Sequence, residues 1–75
     1  MELEVFQETL RSFIRREPFV PFVVELLNGE QIVVAEPTVA FNGGFAGYFS
    51  PSYDILEFRC EQVQAIRLLS REAAS

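Results

Sequence analysis

The 75-residue sequence contains no histidine, no lysine and a single cysteine, Cys60. Acid–base and nucleophilic catalysis need a side chain with a usable pKa beside its target, so carboxylates, Cys60 and two tyrosines are the remaining candidates. A tetrahedral zinc site needs several His or Cys ligands, and a calcium loop needs clustered Asp and Asn, whereas Asp54 stands alone. We therefore expect no enzymatic activity, no cofactor and no metal.

Cations are scarce as well. All positive side chains are arginines, and the net charge is −5. Residues 18–55 hold no cation but four acidic residues, namely Glu25, Glu30, Glu36 and Asp54. Because clustered Lys and Arg bind phosphate backbones, nucleic acid is the less favoured partner.

Long apolar runs are absent too. None approaches the roughly 20 residues that span a bilayer, and the first residues are acidic rather than basic, unlike a secretory signal. A lone cysteine is typical of a reducing compartment. These features predict a cytoplasmic protein that does not enter the membrane.

Residues 21–36, PFVVELLNGEQIVVAE, are two apolar runs joined by Asn28-Gly29. This pair is typical of a type I′ hairpin turn, in which both central residues need positive φ. A two-residue loop would place Val24 opposite Val33. One face of the hairpin would then be apolar except for Gln31. The other would be half apolar, with Val23, Leu27, Ile32 and Val34 beside Glu25 and Glu30, so we expect the N-terminal helix or a second copy to cover it.

The N-terminal segment has a helical pattern. Apolar residues recur there at spacings of three and four, namely Leu3, Phe6, Leu10, Phe13 and Ile14, which predicts an amphipathic helix. Pro18 ends it, because the residue before a proline avoids the helical region.

The rest of the chain reads as short strands. Asn42-Gly43-Gly44 is a second hairpin signal, and Gly47 predicts a bulge or a close backbone approach. We predict one domain, 1–75, with a helix at 2–17, strands at 21–27, 30–36, 38–42, 45–49, 55–59 and 64–69, and a frayed tail at 70–75. The expected fold is α+β, with the helix on a small, strongly bent antiparallel sheet or barrel of five to six strands.

The apolar content is high for so small a chain, at 49% of residues. A domain of this size buries only about 60% of its extended surface, so its own folding leaves apolar area uncovered. We therefore expect a homo-oligomer or a protein partner.

Residues 43–49, GGFAGYF, are the most suggestive binding pattern. Glycine and aromatic residues alternate in this way in RNA-binding sheets, where exposed rings stack on bases. The alternative is a core role for the aromatic residues Phe41, Phe45, Phe49 and Phe58. Cys60 has two interpretations as well, a buried small hydrophobe or a reactive thiol beside Arg59.

The helix carries the one cluster of cations, Arg11, Arg15 and Arg16. These arginines form either a solvated face paired to Glu8 or a docking patch for an acidic partner or a phosphate. The candidate partner-binding residues are Arg11, Arg15, Arg16, Phe45 and Tyr48.

Residues 15–37, RREPFVPFVVELLNGEQIVVAEP, resemble a group of short uncharacterised bacterial proteins. Those proteins open with a helix and continue as PF-x-PF, a strand, an Asx-Gly turn, a second strand and a proline. The resemblance implies no activity.

The order of elements is also similar to the Sm-like fold of bacterial Hfq, a small β-barrel related to the SH3-like architecture. In Hfq a helix ending in basic residues leads to a strand, an Asn-Gly turn such as LLNG here, further strands, a one-turn connection and a closing strand. The resemblance implies a ring of subunits that binds RNA. Where Hfq has a Tyr-Lys-His motif, this chain has Phe58-Arg59-Cys60-Glu61, and the Sm pattern of Asp followed by Asn is missing from residues 38–44.

Taken together, these patterns predict a non-enzymatic binding or assembly module that acts through self-association or a protein partner. The alternative is an Hfq-like RNA-binding oligomer.

Overall fold

The computed structural model describes residues 1–69. Its elements, in chain order, are α1 (Leu3–Ile14), β1 (Phe22–Leu26), β2 (Gln31–Val34), β3 (Val39–Asn42), β4 (Phe45–Phe49), β5 (Ile55–Arg59), one turn of 3-10 helix (Cys60–Gln62) and β6 (Val63–Leu68). The fold is α+β, as the sequence predicts, and every element overlaps its predicted range. The predicted tail, 70–75, lies outside the described residues.

The strands form two antiparallel three-stranded sheets. Sheet A has the order β2-β1-β6, and sheet B has the order β3-β4-β5. No closed barrel is found among residues 1–69, so the barrel remains a prediction.

The helix is shorter than the periodicity predicts. It ends at Ile14 instead of residue 17, and Arg15 caps it by donating its N–H to the Arg11 carbonyl. Glu17 precedes Pro18 and so cannot readily be helical. The chain leaves the helix one turn earlier and uses residues 15–21 to reach β1.

One apolar core joins the helix to both sheets. Its buried members are Phe6, Leu10, Phe22, Val24, Val34, Ala46, Tyr48, Phe58, Cys60 and Val63. The rings of Phe6 and Phe58 of sheet B pack edge-on, with 6.1 Å between their centres. The rings of Phe13 and Phe22 of sheet A pack in the same way, with 5.0 Å between their centres. The helix therefore covers the inner face of each sheet.

The β1–β2 hairpin differs from the prediction by one residue. Val24 pairs with Ile32, and Val23 pairs with Val33, whereas the sequence predicted Val24 opposite Val33. A slip of one residue exchanges the two faces of a strand. The second face therefore keeps Val23 and Glu25 but has Val33 and Gln31 in place of Ile32 and Val34, so it is still half apolar.

The loop explains the slip. Leu26 N donates to Glu30 O and Gly29 N donates to Leu26 O, so the loop has three residues rather than two. Gly29 has a φ of 92°, and Asn28 Oδ1 accepts a bond from Glu30 N at 2.9 Å. Asn28 itself is not in the positive-φ region, which a type I′ turn would require.

The observed register gives sheet A a cleaner core face. Val34 now lies opposite Phe22 and is buried. Gln31 moves to the outer face, where its amide donates to Glu25 Oε2 at 3.2 Å. The helix packs on the opposite, apolar face with Phe22 and Val34, so it is not the cover expected over the second face, where Val33 is 47% exposed.

A candidate binding face on the second sheet

Sheet B has an outer face that carries exposed apolar side chains. The strand register places on it, from β3, β4 and β5, the residues Ala40, Asn42, Phe45, Gly47, Phe49, Ile55, Glu57 and Arg59. We call this set the outer face. The opposite face of the same sheet contains Ala46, Tyr48 and Phe58 and packs on the core.

A shallow groove of about 260 Å³ lies on this outer face. Phe45, Phe49 and Ile55 line it, and their side chains are 41%, 58% and 56% exposed. Ala40 and Gly47 complete the lining. The groove is an apolar surface with two half-exposed rings and no charged residue in its lining.

Gly47 leaves room at the groove because it has no side chain. A β-carbon there would lie 3.9 Å from Ile55 Cγ2 and 4.0 Å from Glu57 Cγ, which is ordinary contact. The predicted bulge is absent, because the register runs unbroken from Ala40 through Gly47 to Glu57.

The Asn42 end of the groove carries positive charge. The Arg59 guanidinium lies 5.6 Å from the centre of the Phe45 ring, within cation–π range. Arg11 lies 5.9 Å from the ring of Phe41, which also borders the groove. Within residues 1–69 Arg59 has no ion-pair partner, while Arg11 approaches Glu8 at 3.5 Å.

The opposite end of the groove adjoins the β4–β5 loop. Tyr53 in this loop is 92% exposed and has a φ of 69°. A residue with a side chain is strained in that conformation. Ser50 N donates to Asp54 O, and Tyr53 N donates to Ser50 O, so backbone bonds hold the loop in shape. An exposed aromatic ring is thus held in the loop that precedes Ile55, at some cost to the backbone.

The structure separates the two aromatic candidates of the sequence. Phe45 lies on the outer face, but Tyr48 is 1% exposed on the inner face. The Tyr48 hydroxyl accepts a 3.0 Å hydrogen bond from Ala35 N, which follows β2. Tyr48 is therefore a core residue that links the two sheets, and its place among the surface candidates is corrected.

The core interpretation of the four phenylalanines is half right. Phe58 is buried and Phe41 is partly buried against the core, whereas Phe45 and Phe49 are exposed. Alternation along FAGYF is the signal that separates them, since residues 45, 47 and 49 of one strand must share a face.

Sequence reasoning missed three contributors, Ile55, Arg59 and Tyr53. Ile55 and Arg59 belong to β5 and join the groove region only through its pairing with β4. Of the helix arginines, Arg15 and Arg16 are exposed after the end of α1. They do not line the groove.

Cys60 is buried and its backbone N–H donates to the Gly44 carbonyl at 2.8 Å. This favours the interpretation as a small buried hydrophobe. In the described part of the chain, no group of three His, Cys, Asp or Glu residues could hold a metal ion.

No family model, curated protein or solved structure significantly matches this chain. The two resemblances therefore remain predictions. Among residues 1–69 no helix is long and apolar enough to cross a membrane.

Proposed function

We propose that this chain is a small, cytoplasmic, non-enzymatic binding or assembly module that acts through self-association or a protein partner. The observation that carries the proposal is the apolar outer face of sheet B. Phe45, Phe49 and Ile55 lie together there and are about half exposed, and contiguous exposed apolar patches are typical of interaction sites.

The size of the face supports binding of moderate strength. Together with Ile55, the two exposed phenylalanine residues present roughly 300 Å² of surface, within the range of functional patches on small proteins. Burying that area contributes roughly 7–8 kcal/mol before costs, and the cost of association, about 4 kcal/mol or more, is of the same order. The arithmetic favours a reversible partner over a permanent one.

We further propose that the two sheets are halves of an open, Sm-like or SH3-like barrel. Residues 35–38 alone separate β2 of sheet A from β3 of sheet B, and a single 3-10 turn leads from β5 into β6. Both sheets also share one core under one helix. These connections are short enough for one strongly bent sheet.

The test compares Phe49→Ser with Leu27→Ser. Both remove an exposed large side chain, but Leu27 lies in the β1–β2 loop and does not line the groove. The native mass is measured at two concentrations, and a protein partner is captured by cross-linking. We expect the oligomer or the captured partner to be lost in Phe49→Ser and kept in Leu27→Ser. A monomer whose captured partners are the same in both variants would refute the proposal.

A second candidate is an Hfq-like RNA-binding oligomer. The observation that favours it is the Arg59 guanidinium over Phe45, on the same face as the exposed Phe49, because bases stack on exposed rings and arginine planes. Glu57 on the same face opposes it. We expect any single-stranded RNA binding to weaken with salt and in Arg59→Glu and Arg15→Glu. No binding at low salt would eliminate this candidate.

A further inference from the structure

Each three-stranded sheet has two edge strands: β2 and β6 in sheet A, and β3 and β5 in sheet B. An edge strand has unpaired backbone N–H and C=O groups to which another chain can add. Natural edges are usually protected by proline, charge or a covering side chain. The four edges of this protein differ in that protection.

Strand β5 is the most exposed of the four. Four of its five residues are exposed, and they include Ile55 and the 39%-exposed Leu56. By contrast, only half of the residues of β2, β3 and β6 are exposed. The charged residues of β5, Glu57 and Arg59, limit the registers in which it can pair. Strand β2 is one residue shorter than β5 and includes the buried Val34.

The hydrogen bonds at the two ends of β5 show which of its groups are free. Ser50 N donates to Asp54 O, and Cys60 N donates to Gly44 O. Because bonded and non-bonded pairs alternate along an antiparallel ladder, residues 54, 56, 58 and 60 face β4. Residues 55, 57 and 59 therefore direct their N–H and C=O groups outward.

One of the outward N–H groups is already occupied. Gln62 Oε1 accepts a 2.9 Å hydrogen bond from Arg59 N, which closes that end of the edge. Within the described residues, Ile55 and Glu57 keep both of their outward backbone groups unpaired.

We propose that β5 pairs with β5 of a second copy of this chain, antiparallel about a two-fold axis at Leu56. The inference rests on the proposed function, in its form of self-association. Ile55 of each copy lies opposite Glu57 of the other, and each pair exchanges two backbone hydrogen bonds. The two Leu56 side chains meet at the axis.

Charge, capping and the number of backbone bonds select this register over its neighbours. An axis at Ile55 would form one bonded pair only, because Glu57 would face Tyr53, whose N–H already donates to Ser50 O. An axis at Glu57 would set two carboxylates opposite each other, which is unfavourable. An axis at Phe58 would need the Arg59 N–H, which Gln62 already holds. The axis at Leu56 uses open groups alone and buries exposed apolar surface.

The same register gives Tyr53 a partner. Tyr53 lies in the loop before β5, and the register brings Arg59 of the second copy to that end of the strand. An exposed aromatic ring and an arginine without an ion pair among residues 1–69 are complementary in charge. The strained loop would then hold the ring where the second copy needs it.

The pairing makes one sheet of order β3-β4-β5-β5-β4-β3. With the axis perpendicular to the sheet, both outer faces lie on the same side, so the two grooves form one surface with Ile55 of each copy at the seam. The interface falls below the roughly 800 Å² per partner of a standard complex. We therefore expect a weak dimer, with a dissociation constant on the order of micromolar.

The first test compares Glu57→Pro with Glu57→Gln by light scattering over a concentration series. Glu57→Gln keeps every backbone group. Proline removes the outward N–H and places its ring on the edge, while the bonds to β4 are kept. We expect wild type and Glu57→Gln to dimerise, and Glu57→Pro to raise the dissociation constant about tenfold or more, with an unchanged circular dichroism spectrum.

The second test measures the register of the β5–β5 pairing by disulfide cross-linking, and it needs no variant that breaks the interface. Leu56→Cys places two thiols on the axis, where facing Cα atoms of a non-bonded pair are about 4.5 Å apart, within disulfide reach. Ile55→Cys is the control, because Ile55 is more exposed than Leu56 but lies off the axis. We expect mild oxidation to cross-link Leu56→Cys alone.

The outcomes separate this inference from the proposed function. Equal cross-linking of both cysteine variants would overturn the register. A dimer that persists in a folded Glu57→Pro variant, with no Leu56→Cys cross-link, would overturn the β5 interface and leave self-association standing. A monomer at every concentration would overturn the inference, while the Phe49→Ser comparison still tests a protein partner.

Discussion

Gly44 and Cys60 pack so closely that a β-carbon on Gly44 would lie 2.8 Å from the Cys60 Sγ atom. The Cys60 N–H also donates to the Gly44 carbonyl at 2.8 Å. The β3–β4 turn is thereby fixed against the 3-10 turn that leads into β6.

We predict that Gly44→Ala lowers the free energy of unfolding by about 1–3 kcal/mol, because the added methyl overpacks a buried site. Cys60→Ala removes the opposing sulfur, so the double variant should lose less than the sum of the two single losses. Urea unfolding measures all three. Gly47→Ala, where the added methyl would make only ordinary contacts, is the control and should be neutral or slightly stabilising. Strict additivity would contradict the contact.

Tyr48 and Ala35 form a hydrogen bond between the two sheets. We predict that Tyr48→Phe lowers the free energy of unfolding by about 1–2 kcal/mol, because it leaves the partly buried Ala35 N–H without its acceptor. Tyr53→Phe removes a hydroxyl from an exposed ring and should change nothing in the same denaturation experiment. Equal effects of the two substitutions would mean that the Tyr48 hydroxyl does not link the sheets.

Replacing Tyr53 should change fold stability and dimerisation in opposite directions. We predict that Tyr53→Gly raises the free energy of unfolding by about 0.5–1 kcal/mol, because glycine tolerates the φ of 69° that strains a residue with a side chain. The same variant should weaken the proposed dimer. Gly29→Ala, at a φ of 92°, is the opposite control and should destabilise the fold. An unchanged or lower stability of Tyr53→Gly would remove the argument from strain.

The pairing of Glu25 with Arg67 should make the free energy of unfolding depend on pH. Arg67 donates a 2.9 Å hydrogen bond to Glu25 Oε2, and this bond lowers the pKa of Glu25 from its ordinary value of 4.5. A carboxylate with a lowered folded pKa stabilises the fold above the unfolded pKa, and this contribution is lost as pH falls through the folded pKa.

We therefore expect Glu25→Gln to be less stable than wild type at pH 7, with the difference shrinking below about pH 4.5. Thermal unfolding across pH 2–7 measures the difference. Glu36→Gln, which changes an exposed carboxylate of the same length, is the matched control and should follow the wild-type profile more closely. A difference between Glu25→Gln and wild type that stays constant with pH would contradict the role of Arg67.

The elements themselves were predictable from local pattern. The apolar spacing of α1 follows the helical period. Pro18 and Pro37 interrupt regular secondary structure because proline has no N–H and a fixed φ. Both signals are local and do not depend on distant residues. The hairpin signals at Asn28-Gly29 and Asn42-Gly43-Gly44 also mark two real turns.

The register of the first hairpin was not predictable in the same way. Asn28-Gly29 fits a two-residue loop, but the chain forms a three-residue loop that uses Gly29 alone at positive φ. The difference of one residue is decided by burial. It brings Val34 into the core opposite Phe22 and sends Gln31 to the outer face, which avoids an unpaired amide among apolar side chains.

Local residue patterns alone define the helix, the strands and the alternation that puts Phe45 and Phe49 on one face of β4 and Tyr48 on the other. The tertiary structure decided which of those faces is covered. The single helix packs its Phe6 and Leu10 side against the inner faces of both sheets, so within residues 1–69 no element is left to cover the outer face of sheet B. Burial is a property of three-dimensional neighbours, and that is why the candidate binding face became visible only in the fold.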